Sequence, residues 1–216
     1  MEFQRARNEK QKSIRRDQII EATLKLYETE PLEKITLASI ASELNFSRAN
    51  LYKYVTTKEE IFLWILNSDL NKWVDQIYER LEEYDQLDLK TFCRLFAEQL
   101  YQNQRIIRLL PILNAVIDKN VKATALETFK QDLHNVFNRL KLISSKFLPD
   151  LSDEQISLFI RYQIHYALTL YPKTVLDENQ HKESVAAWLL YKKPDFITDF
   201  SEYLEIVILG IRAKKV

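Results

Sequence analysis

The sequence predicts an all-α protein: an N-terminal three-helix unit joined by a long helix to a larger helical bundle. Three observations lead there. The 216 residues include one glycine and five prolines, too few for the tight hairpins of a β protein. Apolar residues recur at helical spacing along most of the chain. Hydrophobic residues make up 46% and aromatics 12%, enough for a sizeable core. The near-absence of glycine also argues against Gly-rich phosphate loops, and so against the common nucleotide-binding enzymes.

The elements follow in order. From Arg16 onward, Ile19, Ala22 and Leu26 form one stripe, with Ile20, Leu24 and Tyr27 beside it, and Pro31 closes that helix. Thr36 stands as N-cap ahead of Leu37, Ile40, Ala41 and Leu44, leaving Ser39 and Glu43 outward. Asn45 occupies a turn where a left-handed residue is wanted, a conformation Asn tolerates. Ser47 caps a third, short helix anchored by Leu51 and Val55. Thr57 caps a long fourth helix with Glu59 and Glu60 in its first turn, where the dipole favours acids. Its stripe of Phe62, Leu66, Leu70, Trp73, Ile77 and Leu81 runs to about Glu83. Further helices are expected over 88–103, 105–118, 121–147, 152–170 and 195–213. The stretch 171–193 is less regular, with one short helix around Lys182–Tyr191.

Two late helices are apolar on more than one face. Ile156, Phe159, Ile160, Gln163 and Ala167 form one stripe, and Phe200, Leu204, Val207 and Ile211 another. A helix apolar all round must be covered all round. These two stripes are therefore the expected dimer interface, with a second copy of the chain as cover.

Charge balances at 31 basic and 31 acidic residues, but its distribution is uneven. Arg5, Arg7, Lys10, Lys12, Arg15 and Arg16 precede residue 17 against only Glu2 and Glu9, a basic arm suited to a polyanion. Cys93 is the single cysteine, which fits a reducing compartment. No signal-like apolar segment opens the chain and no run approaches a membrane span. The expectation is a soluble, cytoplasmic protein without membrane association.

The segment SELNFSRANLYKYV, residues 42–55, places Arg48, Asn50, Lys53 and two tyrosines on a helix too short to bury much surface. In Thr36–Ile61, TLASIASELNFSRANLYKYVTTKEEI, the cap Thr36, the pair Ile40-Ala41, Leu44, the turn, Ser47, Leu51-Tyr52, Tyr54 and Lys58 fall in one register. That register resembles the helix-turn-helix of the TetR/AcrR family of bacterial transcriptional regulators. The preceding RRDQIIEATLKLYETE resembles the family's first helix, so the likeness covers about Arg15 to Leu66. Asn45 stands where the family often has Gly, and Asn50 where it often has a small residue or Thr.

The resemblance implies a sequence-specific, DNA-binding repressor, acting as a homodimer on a pseudo-palindromic double-stranded operator. It divides the chain into a basic arm (1–14), a DNA-binding domain (15–60) and an effector-binding and dimerisation domain (61–216). Its recognition helix would enter the major groove. Arg48 can bond guanine O6 and N7 together, and Asn50 adenine N6 and N7. Tyr52, Lys53 and Tyr54 suit phosphates, as do Thr36 and Lys58 at helix N-termini. With Arg15, Arg16, Ser47 and Ala49 these make up the expected DNA surface. An apolar or aromatic small-molecule effector is expected among Phe92, Phe96, Tyr101, Tyr162, His165 and Tyr166, controlling the separation of two reading heads through the long fourth helix.

Two other readings compete. Metal catalysis would need paired Glu-x-x-His motifs on two helices, and only Glu178–His181 matches. His134, His165, His181 and Cys93 form no nucleophile–base spacing. No enzyme, cofactor or metal is therefore expected. A ligand-independent DNA-binding or architectural protein is the alternative, but it would favour a broad basic face over one short helix.

Overall fold

The computed structural model describes residues 2–177, 180 and 192–214. Among them every regular element is a helix. These are α1 (Glu2–Thr29), α2 (Leu37–Glu43), α3 (Arg48–Leu51), α4 (Lys58–Glu82) and α5 (Leu89–Gln102). They continue with α6 (Gln104–Asn120), α7 (Ala123–Phe147), α8 (Asp153–Thr174) and α9 (Phe196–Ala213). No described helix is long and apolar enough to cross a membrane. The expected short helix at Lys182–Tyr191 lies outside the described residues, as does His181.

Two boundaries differ from expectation. α1 begins at Glu2, so the basic arm is helical and continuous with the first helix. α8 runs on to Thr174 through Pro172 in its last turn.

The chain forms two compact units: Met1–Asn67 with Ile112–Lys130, and Ser68–Pro111 with Gln131–Val216. In the first, Ile19, Ile35, Ile40, Leu51, Ile61 and Phe62 are wholly buried or nearly so. Tyr27 meets Phe62 edge-on at 5.5 Å, an arrangement aromatic quadrupoles favour. Phe62 and its neighbours Leu63, Ile65 and Leu66 are buried too, which is why this unit reaches Asn67 and not the expected residue 60.

In the second unit α9 packs most extensively on α5 and next on α8. A ring cluster fills the interior. Phe92 stacks on Phe147 at 5.9 Å, Trp73 meets Phe96 at 5.8 Å and Phe96 meets Phe159 at 6.0 Å. Asp69 on α4 accepts two bonds from the Arg105 guanidinium on α6, both at 2.6 Å, the bidentate geometry that suits this pair. α4, α6 and α7 each have residues in both units.

Candidate nucleic-acid interface

The interface begins with how α2 starts and stops. The Thr36 hydroxyl accepts the Ser39 N–H at 3.1 Å, and Ser39 Oγ accepts the Thr36 N–H at 3.0 Å. Two otherwise orphaned donors are thereby satisfied in a reciprocal box. At the other end Asn45 has φ 55°. The Phe46 N–H bonds Ala41 O at 2.8 Å and the Asn45 N–H bonds Ser42 O at 3.0 Å. This is the Schellman pattern, and Asn supplies the left-handed residue it needs. Sequence placed both devices correctly.

The turn delivers Ser47, whose Oγ accepts the Asn50 N–H at 3.2 Å. Regular α-helix lasts only from Arg48 to Leu51. Tyr54 and Val55 then bond back to Leu51 O at 2.9 and 3.2 Å, extending the rod as tight turns. Leu51 (1% exposed) and Val55 (2%) anchor it inward. The opposite face carries exposed Ser47, Arg48, Ala49 and Lys53, with Tyr52 54% exposed, while Asn50 and Tyr54 are half-buried.

α1 flanks this face. Arg15 and Arg16 are exposed; the Arg15 guanidinium lies 5.3 Å from the Phe46 ring centre and that of Arg16 4.7 Å from Trp64. Thr36 is exposed, with its hydroxyl engaged in the cap. A Lys25–Glu43 ion pair joins α1 to α2. The carboxylate raises the Lys25 pKa, chiefly by accepting its hydrogen bond. With eighteen residues between them, these two showed no pairing signal in the sequence.

Lys58 is a correction. Its ammonium donates to Leu32 O at 2.8 Å, Glu33 O at 3.2 Å and Ile35 O at 2.8 Å. All three donors are used on the loop that precedes α2, so Lys58 is a clasp and not a cation held ready for phosphate. Motif register located it, but register cannot reveal three backbone acceptors from another loop.

Comparison with known proteins decides the family. Residues 19–65 match the model for bacterial regulatory proteins of the tetR family, and residues 67–215 that for the tetracyclin repressor-like C-terminal domain. This chain belongs to the TetR family. It is 25% identical over 174 residues to the nucleoid occlusion factor SlmA of Shewanella frigidimarina (strain NCIMB 400), covering 71% of this chain and 86% of that protein. It is 29% identical over 69 residues to the HTH-type transcriptional regulator SAB2452 of Staphylococcus aureus (strain bovine RF122 / ET3-1), covering 32% and 37%. In structure it resembles the fatty acid degradation regulator FadR from Bacillus halodurans, with TM-score 0.55, 14% identity and coverage of 90% and 94%. It also resembles a TetR/AcrR-family regulator from Thermobifida fusca YX-ER1, with TM-score 0.53, 14% identity and coverage of 91% and 97%.

In this TetR-family, DNA-binding regulator the expected effector residues do not converge. Phe92 and Phe96 are buried within the ring cluster. Tyr101 stacks on Phe196 at 5.6 Å, and Tyr166 on Tyr203 at 3.8 Å. Tyr162 and His165 are exposed on α8. Aromatic residues at helical spacing served packing here, the commoner use of such a stripe.

The expected dimer stripe is also inward. Ile156, Phe159, Ile160, Gln163, Ala167, Phe200, Leu204 and Ile211 are buried within this one chain, and Val207 is half-buried. Periodicity found two apolar faces on each helix but could not tell which one the chain covers itself. The uncovered side carries Tyr162 (40% exposed), Ile206 (68%) and Leu209 (53%). Gly210 is exposed beside them, with nothing within 4 Å of where a Cβ would stand.

Proposed function

We propose that this TetR-family regulator represses transcription as a homodimer that seats two copies of α3 in successive major grooves of a pseudo-palindromic operator. One observation carries the reading: Leu51 and Val55 fix the rod from below while Arg48, Tyr52 and Lys53 stand exposed on its other side. Arg48 reads a guanine edge, Asn50 contributes through its accessible part, and Tyr52, Lys53, Arg15 and Arg16 contact phosphate. Ser47 and Ala49 let the helix start approach the groove floor closely. Tyr54 supports the rod from the side.

The two copies join through the outward faces of α8 and α9. Tyr162, Ile206 and Leu209 give that face its apolar surface. Gly210, the chain's single glycine, supports the same choice. Gly in a helix costs about 1 kcal/mol relative to Ala, and a close approach by a partner helix gives that cost a purpose.

A small molecule bound in the second unit controls the spacing of the reading heads. Support comes from α4, α6 and α7, each of which has residues in both units. The control works only as far as the ligand prefers one spacing over the other.

Selection from random duplexes on immobilised protein tests the reading. It is expected to return a pseudo-palindrome with half-sites about one turn, ~34–36 Å, apart. Recovery of unrelated sequences would contradict it. The likeness to a protein named a nucleoid occlusion factor favours a second reading, DNA binding without effector control. The two part on whether any small molecule changes operator affinity.

A further inference from the structure

Among the described residues three buried side-chain atoms have no hydrogen-bond partner: Trp73 Nε1, Ser144 Oγ and Gln163 Oε1. They come from α4, α7 and α8, and each residue is at most 3% exposed. They also border one ring cluster. Trp73 meets Phe96 edge-on at 5.8 Å, and Phe96 meets Phe159 at 6.0 Å. Gln163 follows Phe159 by one turn of α8, and Ser144 precedes Phe147 by about one turn of α7. Native cores retain few unpaired polar atoms, because each forfeits its bonds to water without replacement. Three around one cluster indicate a place where a partner arrives.

A groove of about 450 Å³ lies between α4 and α7, within the size range of small-molecule sites. Leu81, Ile143 and Phe147 are its buried lining residues; Tyr78 (52% exposed) and Leu142 (74%) are its exposed ones. Phe147 belongs to both features, since it lines the groove and stacks on Phe92 at 5.9 Å. Charge in the groove is balanced. Arg139 is paired with Asp75, and Lys146, which donates to Tyr84 O at 3.2 Å, is matched by Glu82. The ring cluster itself contains no charged side chain.

We propose that groove and cluster form one binding site for an uncharged, flat aromatic molecule carrying both a hydrogen-bond acceptor and a donor. The acceptor meets the Trp73 N–H, and the donor meets Gln163 Oε1. Entry requires the Phe147 ring to move aside, making the inner part of the site a pocket that the ligand itself opens. The inference rests on the ligand-responsive part of the function proposed above and names the site and chemistry of the effector.

Full-length protein is titrated calorimetrically with three probes: 2-quinolone, which carries adjacent C=O and N–H groups, naphthalene, and 2-naphthoate. Wild type is expected to bind 2-quinolone at least about tenfold tighter than either of the others, one hydrogen bond's worth of preference. Gln163→Met and Trp73→Phe are each expected to remove most of that preference. A wild type without the preference, or variants that both retain it, overturns the proposal. If neither variant folds, the order of the three probes on wild type decides alone. Operator affinity is measured separately. Preference for 2-quinolone with unchanged operator affinity supports the site and removes the ligand response. Operator binding without the probe preference overturns the site and leaves DNA recognition standing.

Discussion

The Lys58 ammonium lies 2.8 Å from the carbonyl oxygen of Leu32, and it reaches Ile35 O at the same distance. The side chain at the start of α4 thereby closes the loop that presents α2, binding three segments of the DNA-binding unit with one charge. Charge-assisted bonds of this kind are worth ~1.5–3 kcal/mol in protected settings and less where water competes. Lys58→Ala is expected to lower unfolding stability by about 2 kcal/mol, read as a lower urea midpoint at unchanged m-value. Its effect on the salt dependence of DNA binding is expected to be small. An unchanged midpoint with a salt slope lower by ~1 would return Lys58 to the phosphate contacts.

Arg48→Ala tests base reading. The exposed guanidinium is expected to supply ~1–3 kcal/mol of discrimination at one position in each half-site. Selected sequences should lose preference at that position, while affinity for random DNA falls little. Equal weakening on every sequence would assign Arg48 to phosphate.

Asn45 sets the angle between α2 and α3 from a left-handed conformation, φ 55°. Asn45→Gly is expected to be nearly neutral in thermal unfolding and operator binding, since Gly adopts that conformation freely. Asn45→Val is expected to cost at least about 1–2 kcal/mol, because its Cβ crowds the following carbonyl. Equal melting temperatures for the two variants would mean the turn tolerates another conformation.

Gly210→Phe tests the subunit contact. The position is open in the single chain, so the fold should melt within a few degrees of wild type. Sedimentation should show dissociation to monomer, and operator affinity should fall with it. A variant that remains dimeric would move the contact elsewhere.

Cys93 is wholly buried, and burial raises its thiol pKa well above the usual range, with Glu205 adding to the shift. A raised folded pKa means the contribution to stability is intact below the unfolded value, ~8.5, and is lost progressively as pH climbs beyond it. Thiol-disulfide reagents at pH 8 should label the native protein only as fast as it opens. Labelling at the rate of a free thiol would place Cys93 at the surface.

The reading surface was legible because its local rules are strict. Thr36, Asn45 and Ser47 each have a backbone task that few residue types can perform, and each performs it within four residues. Helix placement followed from spacing, with ends shifted by a few residues where terminal turns run on. What remained hidden was long-range. Lys58 finds acceptors 23 to 26 residues away, and Lys25 finds Glu43. Similarly, α8 and α9 each carry two apolar sides, and composition cannot rank them. Only the packing of α9 on α5 shows that Phe200 and Leu204 turn inward while Ile206 and Leu209 do not. The groove was missed for the same reason: α4 and α7 are far apart in sequence, and neither stripe marks where they leave a gap.

Dimethyl sulfate interference on the selected operator tests the central claim most directly, because the reagent marks guanine N7 in the major groove and adenine N3 in the minor groove. Two clusters of guanine N7 interference about one helical turn apart are predicted, with Arg48→Ala abolishing one guanine in each. Interference confined to adenine N3, or a single cluster, would contradict paired reading heads in neighbouring major grooves.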